Sequence, residues 1–241
     1  MGVLIATIII SIWAIHLVYI LTSVKVDFTS VWFYVHVLFQ GYLYTGLFIT
    51  AHDAMHRTVS KNRTINDLVG KVASFLFAGM SYKRLIKNHF LHHKYPGEEQ
   101  DPDFNVKSQN FFAWWFTFLK RYTTITQIVI MAIAFNVLKI WIDEINLWFF
   151  WVIPAFLGTF QLFYFGTYIP HKYPHLDNMK PHNARSLRKN HLIAMLTCYF
   201  FGYHHEHHDS PSTPWWKLYK LKEERQFVNE HTQATNYTNF H

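Results

Sequence analysis

Two stretches near the start of the chain decide what it can fold into. Residues 3 to 24 (VLIATIIISIWAIHLVYILTSV) and 28 to 51 contain no Asp, Glu, Lys or Arg. About 20 apolar residues in a helix cross the hydrocarbon core of a bilayer, so each stretch is long enough to span. Only a short loop holding Lys25 and Asp27 separates them. Two further apolar blocks, 122 to 142 and 146 to 169, make a second pair joined near Asp143 and Glu144. The pattern predicts an all-α integral membrane protein with four transmembrane helices arranged as two hairpins. The first block lacks a basic leader and runs straight into another span, which marks it as a retained helix rather than a signal peptide. Shorter aromatic stretches at 68 to 80 and 111 to 119 predict interfacial helices, and 192 to 203 a segment that re-enters the bilayer surface. Residues 1 to 222 read as one membrane-embedded domain, with a polar, loose tail from 223 to 241.

Charge sets the orientation. Charged residues make up 15% of the chain, against roughly 25% in soluble domains, yet mean hydropathy is only +0.02. Apolar blocks must therefore alternate with polar, basic ones. Of 22 Lys and Arg, 20 fall in segments 52 to 121 and 170 to 241, which share one side of a four-span topology. The positive-inside tendency predicts that this side, carrying both termini, is cytoplasmic. The net charge of +7 then belongs to membrane orientation, and no motif ties it to nucleic acid. A single cysteine, Cys198, excludes an intrachain disulfide and a cysteine-built zinc or iron–sulfur site.

Histidine is over-represented, with 17 residues against 15 Asp plus Glu. His16 and His36 sit alone in the first two spans, where an interhelical hydrogen bond is the expected role. Eleven of the others cluster as HDAMH (His52, His56), HFLHH (His89, His92, His93), HKYPH (His171, His175) and HHEHH (His204, His205, His207, His208). Every cluster falls at or beyond the predicted cytoplasmic end of a span. Positions i, i+3 and i+4 share a helix face, and imidazole is the commonest protein metal ligand. Eight such groups exceed the three or four that one zinc ion takes, so the count points to a dinuclear centre. A His-rich metal-transport loop is the rival reading, but such loops are repetitive, whereas these clusters are spread over 150 residues at helix ends.

The spacing His52-x3-His56, His89-xx-His92-His93 and His204-xx-His207-His208 resembles the three histidine boxes of the membrane fatty-acid desaturase and hydroxylase superfamily. HDAMH, NHFLHHKYPG, DPDF, FGTYIPHKYPH, NARS and HHEHH followed by PSTPWWKLYKL are similar, more narrowly, to bacterial-type β-carotene ketolases, over residues 52 to 222. Arg57 stands where that family tends to have glycine. The resemblance implies two ferrous ions, O2 as co-substrate and a hydrophobic polyene or lipid substrate entering from the bilayer. It implies two successive hydroxylations at C4 of a β-ionone ring, with loss of water to a ketone. A carotenoid hydroxylase or a lipid desaturase is the alternative within the superfamily, and a non-catalytic membrane metal binder the alternative outside it. No flavin or nicotinamide fingerprint is present, so a separate ferredoxin-type or reductase donor is implied, and the basic face would suit an acidic one. Zinc binds nitrogen sites more tightly than ferrous iron and is the expected substitute in overproduced protein.

The resemblance also implies a ligand outside the boxes. His171 matches that place, with His175 as competitor; Pro174 makes HKYPH a turn. His182, His191, His231 and His241 read as surface or tail residues, and the role of His205 stays open. A ligating histidine usually donates its other N–H to a carboxylate. Asp53 and at least one of Asp101 and Asp103 are expected to accept it, with Glu206 and Asp209 also near the boxes; DPDF reads equally well as a capping turn. Phe160, Phe163, Tyr164 and Phe165 are the candidate substrate-lining residues.

Overall fold

The computed structural model describes residues 1–227, and these are helical with no strand among them. Helix α1 covers Gly2–Ser23 and α2 covers Val31–Met55. They lie antiparallel and are linked by the expected polar contact: His16 Nδ1 is 2.6 Å from Gln40 Oε1, and His16 Nε2 is 3.1 Å from His36 Nδ1. Helices α3 (Arg63–Ala78) and α4 (Tyr82–Lys94) follow. Asn62 caps α3 by accepting the Ile65 N–H, and Gly79 closes it in the left-handed region at φ 66°. Most of the 68 to 80 stretch therefore lies in α3, which packs on α2.

The third apolar block differs from a straight span over 122 to 142. Helix α5 (Phe111–Tyr122) and helix α6 (Ile125–Leu138) meet at an 85° bend. Thr124 caps the new helix by accepting the Gln127 N–H, which ends one helix and starts the next. At 14 residues α6 is about 21 Å long, short of the roughly 30 Å core. Among the described residues, Gly2–Ser23 and Glu144–His171 are long and apolar enough to cross a membrane, and the bent pair would make a third. Helix α2 has the length, but His36, Gln40, His52 and Asp53 make it more polar.

Helix α7 runs unbroken from Glu144 to His171 and contains two π-helical turns, Leu147–Val152 and Tyr164–Tyr168. Each ends two residues before a proline, Pro154 or Pro170. A proline inside a helix removes one N–H and clashes with the carbonyl four residues back, and a widened preceding turn relieves both. Gly41 and Gly158 let α2 and α7 touch: a Cβ on Gly158 would lie 2.9 Å from Tyr44 Cβ and 3.1 Å from the Gly41 carbonyl. At the end away from the histidine boxes, Asn146 Nδ2 donates to the carbonyls of Leu21 and Val24, clamping α7 to α1.

The 192 to 203 stretch forms an eight-residue helix, α8 (His191–Cys198), followed by turns. A six-residue helix, α9 (His204–Asp209), carries the last box. Residues 218 to 227 are again helical, so the first five residues of the segment read as tail are ordered; His231 and His241 lie outside the described residues. Large apolar side chains stand exposed along α1, α6 and α7, among them Ile8, Ile15, Ile128, Ile133, Trp148 and Phe156. A continuous apolar surface of this kind suits lipid.

Candidate metal centre

Nine histidines from four helices converge at one end of the bundle. Helices α2, α4 and α7 each bring their last turn there, carrying His52 and His56, then His89, His92 and His93, then His171. Helix α9 brings His204, His207 and His208. The donor nitrogens sort into two groups, each with all members within 4.8 Å of one another. The first is His52, His56, His89, His93 and His207, and the second is His92, His171, His204 and His208. The groups abut through His93 and His208, whose ring centroids are 4.3 Å apart.

The boxes divide between the groups by helical geometry. Residues at i+3 and i+4 point about 100° apart around a helix. On α4, His89 and His93 therefore face the first group and His92 the second; on α9, His204 and His208 face the second and His207 the first. Reading each box as one shared helix face missed this split, although the i, i+3, i+4 spacing contains it.

The donor set fits a pair of metal ions. Most of these nitrogens have no chemical reason to meet each other: His93 Nε2 lies 3.0 Å from His207 Nε2, and His208 Nε2 lies 3.1 Å from His204 Nε2 and 3.2 Å from His92 Nε2. The ring nitrogens of His52 and Nε2 of His171 are buried with no protein partner. Burial pushes His56 down to about 4, and burial together with neighbouring imidazoles holds His89, His204, His207 and His208 well below the usual histidine range. These five are neutral imidazoles at pH 7, the form that binds metal, and a set of nine imidazoles suits iron, zinc or copper. Three helix C-termini, with their partial negative charge, point at the place where cations would sit.

The carboxylates play unequal parts. Asp101 is buried, and both its oxygens lie 3.0 Å from His92 Nδ1. It also accepts the Gly97 and Asp103 N–H groups at 2.8 Å, so DPDF is at once a turn and a support for His92. Asp103 stands 3.9 Å from His92 Nδ1 and accepts the Tyr122 hydroxyl. Asp53 departs from expectation. It is 3.8 Å from His52 Nδ1 and accepts the Trp215 N–H instead, tying the PWW segment to α2. Glu206 faces the other way, toward Lys222 at 3.2 Å and Arg225 at 3.7 Å, because its neighbours in HHEHH take the metal-facing sides of α9. Asp209 pairs with His182, His205 and Arg225.

The remaining histidines are also placed. His171 Nδ1 is 3.0 Å from the Asn183 carbonyl, leaving Nε2 for the second group, whereas His175 Nε2 is 2.8 Å from the His171 carbonyl. His205 uses both nitrogens, toward the Ala184 carbonyl at 2.9 Å and Asp209 at 3.2 Å. His182, expected at the surface, lies beside His208 with ring centroids 5.4 Å apart. His191 bridges the Tyr203 hydroxyl and Glu223.

An apolar cavity of about 610 Å³ leads to this centre. It runs between α6 and α7 and reaches His89, His92 and His204. The candidate lining residues do not line it. Phe163 is fully buried against Trp114 and Phe118, Phe160 packs on Phe111 and Trp115, Tyr164 packs on Phe111, and Phe165 packs in the main core. The adjacent face of α7 does so instead, through Trp151, Ala155, Thr159, Leu162 and Gly166. That stripe, spaced by three and four residues with small members, was the signal in the sequence.

The fatty acid desaturase model matches residues 29–143 and 121–239. The chain belongs to the fatty acid desaturase family. Among the relatives of this desaturase-family chain is a β-carotene ketolase of Paracoccus sp. (strain PC1). It is 39% identical over 184 residues, covering 73% of this chain and 74% of that protein. A zeaxanthin 4-ketolase of Chlamydomonas reinhardtii is 36% identical over 236 residues, covering 92% and 53% respectively. A β-carotene 4-ketolase of Protosiphon botryoides is 35% identical over 241 residues, covering 90% and 62%. The chain thus spans about half the length of the Chlamydomonas protein. No solved structure matches it.

Metal affinity at the two groups should depend differently on pH. Burial alone would lower His92, but the Asp101 carboxylate holds this imidazole protonated above the usual range. An ion binding at Nε2 must displace that proton, so affinity at the second group rises with pH, by about tenfold per unit near neutrality. The first group, already neutral, should stay flat above pH 5 or so. Asp101→Asn releases the proton, flattens the slope and weakens the second site by roughly 10–100-fold. Competition titrations with a metal chelator read both slopes; an unchanged slope in the variant would exclude this role for Asp101.

Proposed function

We propose that this chain is a carotenoid ketolase that oxidises C4 of a β-ionone ring with two ferrous ions and O2. The observation that carries the reading is the cavity, an apolar slot ending on three of the nine clustered histidines. From Trp148 to Thr167 the lining covers 20 residues of α7, about 28 Å of helix, which suits a rigid, extended polyene lying along it. The names of the Paracoccus and Chlamydomonas relatives support the substrate class.

In this reading the iron pair supplies the oxidising power to break an allylic C–H bond. The chain's own residues hold and shield it. His52, His56, His89, His93 and His207 hold one ion, and His92, His171, His204 and His208 the other. Asp101 keeps the His92 Nδ1 proton, so that Nε2 is the ligand atom. Phe201 packs edge-to-face against His52 and His204, at 4.7 and 5.0 Å between ring centroids, and lines the slot. It keeps bulk water from the reacting ring.

Four spans, with the basic lobe and both termini cytoplasmic, complete the proposal. The support is the charge distribution and the position of Gly2, whose Cα packs beside the Val59 carbonyl near the first box. Electrons come from a separate donor docking on the basic face.

Expression in a bacterium that makes β-carotene tests the function. Red-shifted ketocarotenoids are the expected product. Hydroxylated carotenoid without ketone would indicate a hydroxylase, and altered lipid unsaturation a desaturase. Metal uptake with no oxygenated product would indicate a metal carrier.

A further inference from the structure

Thr167 stands apart from the other helical threonines. Seven threonines lie a full turn or more inside the other helical segments, from Thr7 to Thr197. Each donates its hydroxyl to the carbonyl four residues back. This is the usual way for a threonine to satisfy itself in an apolar setting. Thr167 makes no such bond, because it sits in the π-turn Tyr164–Tyr168. There backbone bonds run to the fifth residue back and the carbonyl at i−4 is displaced. Its side chain is 5% exposed, lines the slot, and has no hydrogen-bond partner among the described residues. Nor is its oxygen among the sealed, unpartnered polar atoms of the interior, so the hydroxyl opens onto the cavity.

Its position matters. Thr167 precedes His171 by one turn on the same face of α7, about 6 Å along the axis. Gly166 beside it makes room for Phe201, since a Cβ there would lie 2.5 Å from that ring. The nearby polar pair, Asp103 and Tyr122, is already closed on itself. Thr167 is therefore a hydroxyl with no partner among the described residues at the metal end of a mostly apolar slot, where the substrate's ring must sit.

We infer that Thr167 is a positioning residue for the second oxidation: it hydrogen-bonds the hydroxyl placed on C4 by the first and turns the remaining C4–H toward the metals. This rests on the ketolase reading above. Each hydroxylation converts C–H to C–OH, consuming one O2, two protons and two electrons from the one-electron donor protein, and releases one water. After two hydroxylations the geminal diol loses one further water to give the ketone. A chain lacking the Thr167 hydroxyl completes the first step and releases much of the 4-hydroxy product.

The test compares wild type, Thr167→Val, which keeps the shape, and Thr167→Ser, which keeps the hydroxyl, in β-carotene-producing cells, with iron content measured on each purified protein. The expected result is a rise of about tenfold in the 4-hydroxy to 4-keto ratio for the valine variant. The serine variant should stay near the wild-type ratio, with iron unchanged in both. An unchanged ratio in Thr167→Val, or loss of iron accompanying any change, overturns the assignment. If wild type makes ketone while Thr167→Val matches it, Thr167 alone is wrong. If wild type makes no ketone, the ketolase reading itself has failed.

Discussion

Replacing His171 by alanine is expected to remove one of the two metal ions and to lower ketone formation below detection, while His175→Ala keeps both ions. The two residues are four apart in one short motif, and the structure separates them. His171 ends α7 with its Nδ1 against the Asn183 carbonyl and its Nε2 buried without a partner. His175 lies beyond the helix and spends its Nε2 on the His171 carbonyl. Only four histidines make up the second group, so losing one strips a quarter of its donors. The effect should exceed the roughly 10–100-fold that loss of an outer hydrogen-bond partner costs a metal site. His175→Ala removes one such outer contact and should stay within that range. Metal analysis and pigment extraction on the two variants check this. Equal metal content in both would remove His171 from the ligand set.

Blocking the slot is expected to abolish ketone formation without disturbing the metals. Ala155 faces the cavity midway along α7, and a tryptophan there would project its indole where the polyene must lie. A displacement of about 1 Å at the reacting atoms can already cost 100-fold, and exclusion of the substrate costs more. Phe160→Ala serves as the comparison. Phe160 was a candidate lining residue on sequence grounds, but it is 39% exposed and packs on α5, so product should stay within a few-fold of wild type. The check is product per iron-loaded chain. Full activity in Ala155→Trp would move the substrate path elsewhere.

The contrast between Ala155 and Phe160 shows what the sequence could carry and what it could not. The histidine boxes were legible because local spacing fixes them: residues three and four apart on a helix lie close enough in direction to converge on one centre. His171 came from the family resemblance, which implies a ligand at the end of the fourth apolar run. The split of each box between two ions was present in that spacing but needed the two facing helices to become visible. The lining of the slot needed more, since it depends on which face of α7 turns toward α6, and two π-turns ahead of prolines shift that face. The 85° bend after Tyr122 was equally hidden, because residues 122 to 142 are apolar whether the helix is straight or restarted at Thr124. The part expected of Asp53 failed for a long-range reason: its partner, the Trp215 backbone, lies 162 residues away. Glu206 failed for a local one, because the histidines around it claim the inward sides of a helix only six residues long.

Nine clustered histidines holding two redox-active ions would make a distinct stoichiometry and metal dependence. Iron analysis of the purified chain, reconstituted with ferrous ion under anaerobic conditions and then supplied with β-carotene, reductant and O2, tests it most directly. The expected result is two iron ions per chain and ketone formation that zinc cannot support. One ion per chain, or oxidation that is supported equally by zinc, would contradict it.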